Sequence, residues 1–405
     1  MSTPPQPDVE KSFRSRLFLA VLLLGAFLAT TFSVFFSTAM VNVASSLKVT
    51  VGTASQILTI GFFVGLIVGF VMGFLTVRFT HKSLFLFGVA IYGVGAIGWF
   101  FAPNFAFLLF FILFLGIGNA MITIVVFALI GDFLPLEKKG MAIGLAISTG
   151  FIASLIVPQV TSVITNAMGW RFVLLWFIFP MSVVSLLFGF FVLPSKPLQE
   201  QTANKPQYLE AFKQILQNKS ALACIAGTTI ASISILVPAY AVSFYRLYFK
   251  ESLSNAAIFF SIASAMGFLG VIIGGRLINR IGRKPLTVVT GVIQGILVIL
   301  IAFAPNVWVS VAFWGTEAAF AATMSTALAS LILEQVPGFR GTIMSLNQSF
   351  QSIGAIVGLA ISGLMLNLYA NNFQILYSIF GVSGIASAAV VFALAKDTVK
   401  PQSAA

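Results

Sequence analysis

The sequence has very few of the side chains that catalyse reactions, bind metals or form covalent cross-links. Its 405 residues include a single cysteine, Cys224, and a single histidine, His81. One cysteine cannot form an intrachain disulfide, and the chain contains no nucleotide-binding loop, metal-ligand cluster or catalytic constellation. We therefore predict a protein that is not an enzyme and that holds no cofactor and no metal.

Charged residues are equally scarce, and apolar residues dominate. Only 8% of the residues are charged, 59% are hydrophobic, and the mean hydropathy is +1.06. A helix needs roughly 20 apolar residues to cross a bilayer, whereas a transmembrane β-barrel requires alternating polarity in segments of about ten residues. The apolar runs here are long and apolar on every face. We predict an all-α membrane protein with transmembrane helices near residues 17–42, 53–76, 83–103, 105–131, 141–166, 171–193, 220–246, 254–276, 285–304, 307–332, 341–367 and 373–395.

The few charges predict how these twelve helices are oriented. If the N-terminus is cytoplasmic, most of the 22 lysine and arginine residues fall in cytoplasmic segments, as the positive-inside rule requires. The net charge of +12 is then a topology signal, so we predict a lipid bilayer, and no nucleic acid, as a partner. The polar start lacks a small-residue cleavage site and is interpreted as a retained cytoplasmic tail. The outside loops lack glycosylation sequons, which fits a prokaryotic cell (inner) membrane.

Two basic loops indicate an internal duplication. GFLTVRFTHK, residues 73–82, and GRLINRIGRK, residues 275–284, are related by an offset of 202 residues (275 minus 73). The same offset aligns the Phe-Ala-Pro-Asn sequence that ends at Asn104 with the one that ends at Asn306. The duplication predicts two six-helix bundles joined by a linker that contains a short amphipathic helix. The predicted segments are a cytoplasmic tail at 1–16, bundles at 17–193 and 220–395, the cytoplasmic linker at 194–219 and a second cytoplasmic tail at 396–405.

Several motifs resemble those of the major facilitator superfamily, and together they cover nearly the whole chain. The second basic loop is similar to the family motif G-x-L-x-D-R-x-G-R-K, with Asn279 in place of Asp, and the first loop is a degraded copy. The run from Thr38 to Ala44 and residues 169–172 are also similar, and the pattern is closest to the 12-helix drug/proton antiporter-like branches. The resemblance implies two pseudo-symmetric bundles related by a pseudo-twofold axis along the membrane normal, a central site and alternating access by rocking.

The resemblance also implies that the two basic loops and the facing helix ends form a cytoplasmic gate. A cation at a turn can bond exposed helix carbonyls and pair with an acid on a neighbouring helix. We predict that Arg78 pairs with Asp132 and that Arg280 pairs with Glu334. The alternative is that these cations act only as positive-inside anchors. The predicted gate residues are Gly73, Arg78, Lys82, Asp132, Gly275, Asn279, Arg280, Gly282, Arg283, Lys284, Glu334 and Arg340.

Glu317 is the one acid that falls deep inside a predicted span. It lies ten residues into the tenth span (317 minus 307), which is about 15 Å at 1.5 Å per residue and near the bilayer midplane. A charged, lipid-facing carboxyl costs at least ~2.5–3.5 kcal/mol there, so it should face the interior or be neutral. We hypothesise a proton and substrate site whose rings can stack on a lipophilic cation. The alternative is a neutral acid hydrogen-bonded to amides of the eleventh helix. The predicted site residues are Glu317, Trp314, Phe313, Phe320, Asn347, Gln348, Gln351, Asn42 and Asn119.

The first half of the chain lacks the residues that the resemblance associates with proton transfer. Related exporters carry an acid on the first helix and an Arg and a Gln on the fourth. Here Ser37, Ile112 and Leu115 stand at those positions. We therefore expect protonation chemistry in the second half, at Glu317.

Three functions remain open on the sequence alone. The 43 phenylalanines and the few interior charges favour proton-coupled export of a small lipophilic or cationic compound. The alternatives are uptake or uniport of a small nutrient or metabolite, and a non-transporting membrane sensor or scaffold. No buried Arg or Lys is placed to hold an anion; the four cations assigned to the outside are Lys48, Arg171, Arg246 and Lys250. We predict a monomer that binds a small-molecule substrate and uses protons as the coupling ion.

Overall fold

The computed structural model describes residues 8–134, 136–194 and 213–397, and that part of the chain contains helices and turns but no strand. Residues 1–7 and 398–405 of the predicted tails lie outside the described residues, as does most of the predicted linker. Residues 8–16 are helical, so the first helix begins within the segment that the sequence assigned to the N-terminal tail. Side chains are described throughout these ranges except at residues 8–16, 77, 136–140, 279, 340 and 341.

Twelve helices in the described residues are long and apolar enough to cross a membrane. Each predicted span falls on one of them, which confirms the predicted fold class. The helices are α1 (Asp8–Ser46), α2 (Val51–Arg78), α3 (His81–Phe101), α4 (Phe105–Phe133), α5 (Leu136–Met168), α6 (Arg171–Val192), α7 (Lys219–Leu247), α8 (Leu253–Ile281), α9 (Arg283–Ala302), α10 (Val307–Gln335), α11 (Arg340–Leu368) and α12 (Phe373–Leu394).

The duplicated Phe-Ala-Pro-Asn sequences adopt the same local structure in both halves. Pro103 and Pro305 follow the ends of α3 and α9, where a proline cannot continue a helix. Asn104 and Asn306 then cap α4 and α10, each accepting a hydrogen bond from the amide three residues later, at 3.2 and 3.0 Å. The backbone angles of the two caps also agree, with φ at −148° and −151°. The two identical segments therefore end one helix and begin the next in the same way, at positions 202 residues apart.

α7 is interrupted near its middle. Its first segment ends at Ser234, residues 235 and 236 form a turn, and the second segment runs from Val237 to Leu247. Pro238 has no N–H group, so it cannot donate to the carbonyl of Ser234 four residues earlier. The backbone amide of Leu236 instead bonds three residues back, at 3.2 Å. The break is thus encoded by the proline.

The last part of the predicted linker is helical, and its apolar side is packed. Residues 213–217 form a helical turn, while the remainder of the predicted amphipathic helix lies outside the described residues. Ile215 is buried in a cluster with Leu331 of α10 and Ile343 of α11, whereas Leu216 is exposed. Ile215 is therefore packed as the amphipathic pattern predicts, whereas Leu216, which belongs to the same apolar repeat in the sequence, is not.

The chain divides into two compact units. Unit 1 comprises Met1–Val34, Val64–Ala153 and Ala167–Gln201, and unit 2 comprises Phe35–Phe63, Ser154–Asn166 and Thr202–Ala405. Unit 2 therefore contains one end of α1 and of α2, the stretch Ser154–Asn166 of α5, and all of α7 to α12. The division into two six-helix bundles stays a sequence-based prediction.

Unit 1 is held together by buried hydrogen bonds between helices. The hydroxyl of Tyr92 on α3 donates to the carbonyl of Leu28 on α1 at 2.8 Å and accepts from the amide of Phe32 at 3.1 Å. The indole of Trp99 donates to the carbonyl of Leu108 on α4 at 3.1 Å. These donors are satisfied internally, as an apolar solvent requires.

In unit 2, α9 and α12 approach each other at a pair of glycines. A Cβ atom on Gly295 would lie 2.6 Å from the carbonyl oxygen of Gly381, and a Cβ on Gly381 would meet the carbonyl oxygen of Gly295. Small residues permit such backbone contact between membrane helices. The contact fixes the position of Gln294, which immediately precedes Gly295.

The glycine contact predicts a position-dependent effect of alanine on stability. Gly295→Ala should lower the free energy of unfolding by about 1–3 kcal/mol, because the added methyl group overpacks a backbone contact. Gly144→Ala is the matched control: no described atom lies within 4 Å of a Cβ there, so it should be neutral or stabilising by up to ~1 kcal/mol. The measurement is the Tm of each purified variant in detergent. Equal Tm values for the two variants would contradict the close approach.

Candidate functional site

Glu317 on α10 is buried inside unit 2, where side chains of two other helices reach it. It is only 3% exposed. The amide nitrogen of Gln294 on α9 donates to Glu317 Oε1 at 3.3 Å and to Ser234 Oγ on α7 at 2.8 Å. No lysine, arginine or histidine among the described residues forms an ion pair with the carboxyl. Glu317 is therefore a buried acid with a neutral amide partner.

Aromatic side chains cluster one helical turn before this acid. Trp314, one turn before Glu317, is buried, and its ring lies 5.7 Å from that of Tyr245 and 5.6 Å from that of Phe260. The hydroxyls of Tyr245 and of Tyr377 on α12 lie within electrostatic range of the carboxyl. Phe313 and Phe320, which the sequence predicted beside Glu317, are only half-buried. Trp314 thus belongs to the surroundings of Glu317, together with two tyrosines that the sequence did not single out.

The predicted amides of α11 are not the described partners of Glu317. Asn347 is buried, and its side-chain oxygen has no hydrogen-bond partner in the described part of the chain. Gln348 is exposed and Gln351 is half-buried. The alternative hypothesis was therefore right that an amide bonds Glu317, but the amide belongs to α9 and not to α11. The close contact of α9 with its neighbours, which the sequence pattern does not encode, brings it there.

Asn42 and Asn119 both form helix–helix hydrogen bonds, and they do so in different units. In unit 2, Asn42 Oδ1 on α1 accepts from the guanidinium of Arg246 on α7. In unit 1, Asn119 Nδ2 on α4 donates to the carbonyl of Ala29 on α1 at 3.0 Å. Arg246 is half-buried, so assigning it to the outside missed its contact with Asn42.

At the first basic loop, the acid on α4 is paired with a histidine. His81 Nδ1 lies 2.8 Å from Asp132 Oδ2, whereas Arg78 is exposed. Thr80 caps α3, because its hydroxyl accepts a hydrogen bond from the backbone amide of Ser83 at 3.2 Å. His81 is therefore the first residue of the helix. The predicted pair of Arg78 with Asp132 is therefore wrong. Lys82 lies over the ring of Phe190 at 5.4 Å.

At the second basic loop, the described ion pair again differs from the prediction. Arg283 Nη2 lies 3.9 Å from Glu334 Oε1, where the sequence predicted Arg280. Gly282, with φ at +96°, ends α8 and makes Arg283 the first residue of α9. Arg283 and His81 are equivalent positions, because 283 minus 81 is 202. In both halves the first residue of the helix that follows the turn, α3 or α9, thus pairs with an acid near the end of the next helix, α4 or α10.

The remaining predicted gate residues contribute less. The amide of Lys284 donates to Asp397 Oδ2 at 3.2 Å, and its ammonium lies 5.6 Å from the ring of Phe392. No described atom lies within 4 Å of a Cβ at Gly73 or Gly275. The side chains of Asn279 and Arg340 lie outside the described residues.

Short polar side chains join the two halves of the sequence at the helix ends away from the basic loops. We call this group the far-end band, and all of it belongs to unit 2. The side chains of Ser162 on α5 and Ser254 on α8 lie 3.1 Å apart, and Gln159 Nε2 donates to Ser261 Oγ at 3.1 Å. Neutral hydrogen bonds, together with the bond of Arg246 to Asn42, therefore hold this end. Its members are Asn42, Thr50, Gln159, Ser162, Asn166, Arg246, Ser254, Ser261 and Asn367.

The sequence contained weak signals for the residues that it missed. Gln294 is a lone amide in an otherwise apolar span, and Ser234 stands four residues before Pro238. Neither signal identifies a partner, because the distance between two helices depends on their packing.

Twelve apolar helices, a buried acid and two loop-to-acid pairs among the described residues are typical of a secondary transporter, and comparison with known proteins gives the family. The model for the Major Facilitator Superfamily matches residues 22–316 and 268–405. The chain belongs to this superfamily. It is therefore a multi-pass membrane transporter and not an enzyme, so the sensor or scaffold alternative is set aside.

Individual relatives are distant. The chain is 28% identical to the multidrug resistance protein MdtG of Proteus mirabilis over 244 residues, which cover 57% of this chain and only 58% of that protein. It is 25% identical to the uncharacterized MFS-type transporter YbcL of Bacillus subtilis, with 85% of this chain and 87% of that protein covered.

Solved structures agree on the fold. A D-xylose-proton symporter superimposes with a TM-score of 0.78 at 15% identity, covering 94% of this chain and 98% of that one. The nucleoside transporter NupG does so with a TM-score of 0.78 at 16% identity, covering 93% and 99%. At such identities the similarity shows the fold alone.

The loop geometry predicts that Asp132 couples energetically to His81 and not to Arg78. In a double-mutant cycle of Asp132→Asn and His81→Ala, the coupling should be about 0.2–1 kcal/mol, the range for partly exposed pairs. The cycle of Asp132→Asn with Arg78→Ala is the matched control and should give a coupling near zero. Thermal unfolding of the purified variants measures both. Coupling to Arg78 in place of His81 would contradict the assignment.

Proposed function

We propose that the chain exports small lipophilic or cationic compounds in exchange for protons, by alternating access, in the cell (inner) membrane of a prokaryote. The observation that carries the proposal is Glu317, an acid buried in a membrane helix with a neutral hydrogen-bond partner. Ionisable residues inside the membrane are costly and mark ion and proton pathways. Without a cationic partner among the described residues, the carboxyl is free to exchange a proton during a transport cycle.

The surroundings of Glu317 support the class of substrate. The ring of Trp314 contacts those of Tyr245 and Phe260, with centroids 5.7 and 5.6 Å away. Aromatic faces close to a carboxylate suit a lipophilic cation. Among the relatives, MdtG carries the name of a multidrug resistance protein. The matched stretch of that relative supports an export function and identifies no substrate.

Glu317→Gln provides the test of coupling. In proteoliposomes with an imposed pH gradient, the wild type should accumulate ethidium, a fluorescent lipophilic cation, as protons move the other way. Glu317→Gln keeps the size and hydrogen-bonding capacity of the side chain but cannot ionise, so gradient-driven accumulation should be abolished while the Tm persists.

Glu251→Gln is the matched control for this assay. Glu251 lies outside the membrane helices and bonds Asn255 at 2.7 Å, so ethidium accumulation should be unchanged. Undiminished accumulation in Glu317→Gln would reject proton coupling through this residue. Movement of ethidium in the same direction as protons would favour the uptake alternative.

Alternating access predicts that the far-end band must open during transport. A disulfide between Ser162→Cys and Ser254→Cys, in a Cys224→Ala background, should stop ethidium transport, and reduction should restore it. The two side chains lie 3.1 Å apart and are both short, so the cross-link requires little rearrangement.

A second cysteine pair controls for oxidation itself. Thr50→Cys with Thr53→Cys joins two positions of one helix start, where the hydroxyls lie 2.8 Å apart. Oxidation of this pair should leave transport at the level of the reduced pair because it links no two helices. The reduced pair is the reference, since Thr50→Cys alone removes the bond of Thr50 to Asn367. Transport that continues through an oxidised link between positions 162 and 254 would rule out opening at this end.

A further inference from the structure

Two hydrogen bonds connect Glu317 to the break in α7. Gln294 bonds the carboxyl at 3.3 Å and Ser234 at 2.8 Å. Ser234 is fully buried and is the last residue of the first segment of α7. A continuous polar path therefore runs from α10 through α9 to the point where α7 is interrupted.

Gln294 uses both of its donors in this path. A primary amide carries two N–H groups, and here one faces a hydroxyl and the other a carboxyl. A hydrogen bond to an ionised carboxylate is roughly twice as strong as one to a neutral acid. The charge on Glu317 therefore determines how firmly Gln294, and through it Ser234, is held.

The break is the point at which α7 is least supported by its own backbone. The carbonyl of Ser234 receives no helical hydrogen bond from position 238, because Pro238 has no N–H group. The position of the chain at the break therefore depends more on the side-chain hydrogen bonds of Ser234. Beyond the break, side-chain hydrogen bonds join the second segment to three other helices, and its rings also pack against α8 and α12. The hydrogen-bonded pairs are Tyr240 with the carbonyl of Leu359 on α11 at 3.4 Å, Tyr245 with Ser310 on α10 at 3.3 Å, and Arg246 with Asn42 on α1.

Few other groups could take over this role. Tyr245 of α7 and Tyr377 of α12 are the titratable side chains in electrostatic range of Glu317, and an unperturbed tyrosine is neutral near pH 7. On α8, α9 and α11, no charged side chain within the described residues acts on the carboxyl.

We propose that Gln294 and Ser234 are positioning residues that couple the ionisation of Glu317 to the second segment of α7. Ionised Glu317 holds the amide and the hydroxyl, and so holds the segment against α10, α11 and α1. Protonation weakens the first bond of the path and loosens the segment, including the end that bonds Asn42. The inference rests on the proposed function in one respect, that Glu317 carries the transported proton.

The test follows the accessibility of the second segment of α7 at two pH values. Ser243 is buried in that segment, and its hydroxyl has no partner among the described residues. Ser243→Cys in a Cys224→Ala background therefore breaks no described hydrogen bond. The parent protein carries Ser243→Cys and Cys224→Ala, and its rate of maleimide labelling is measured in lipid nanodiscs. The labelling ratio is this rate divided by the rate of the same protein with Glu317→Gln. The division cancels the intrinsic pH dependence of the thiol.

With Glu317 intact, the ratio should be close to one in mildly acidic buffer. In mildly alkaline buffer it should fall about fivefold, the lower end of typical coupling between sites. Gln294→Met and Ser234→Ala should each bring the ratio back to one at both pH values, because they interrupt the path.

Two further variants separate positioning from general loss of structure. Ser234→Thr retains the hydroxyl and should behave as the parent protein. Ser232→Ala removes another hydroxyl of the same helix. That hydroxyl donates to the Thr229 carbonyl at 2.6 Å and does not bond Gln294, so this variant too should behave as the parent protein.

A ratio that stays at one for the parent protein at both pH values would overturn the inference. So would equal effects of Ser232→Ala and Ser234→Ala. Neither labelling result bears on the proposed function, which the ethidium assay tests separately. Loss of ethidium accumulation in Glu317→Gln would still support proton-coupled export. Conversely, full accumulation in that variant would reject the proposed function whatever the labelling shows.

Discussion

A carboxyl group inside the thickness of a membrane must obtain its hydrogen-bond partners from the protein, and much of unit 2 follows from this constraint. Burial of an unpaired charge is costly, and burial of a polar group without a partner is costly as well. Glu317 receives the amide of Gln294, which is in turn fixed by Ser234. Three helices are thereby held at one polar point within an apolar bundle.

The internal duplication explains the two loop-to-acid pairs better than either loop does alone. His81 and Arg283 occupy equivalent positions, as do Asp132 and Glu334, since 334 minus 132 is also 202. The first half has replaced the arginine by histidine and has kept the contact. The duplicated geometry has thus been preserved while the family motif in the first loop has changed. The one deep acid, by contrast, belongs to the second half only.

How much the sequence could predict depended on the range of the interaction. Run length and apolar character were sufficient for the twelve helices, because the bilayer sets both. Glu317 could be found because a lone acid in an apolar span is conspicuous. Its partner Gln294 could not be found, since the approach of Gln294 to Glu317 depends on how α9 packs against α10, which the sequence pattern does not encode. The partner of Asp132 was misplaced by three residues because Thr80 determines where α3 begins.

The most direct measurement of the central claim is the proton movement that accompanies transport. A pH-sensitive dye such as pyranine, enclosed in proteoliposomes, reports protons that cross when ethidium is added without an imposed gradient. Proton movement opposite to ethidium is expected in the wild type and none in Glu317→Gln. Equal proton movement in both proteins would contradict the account, because the proton would then be carried by a group other than Glu317.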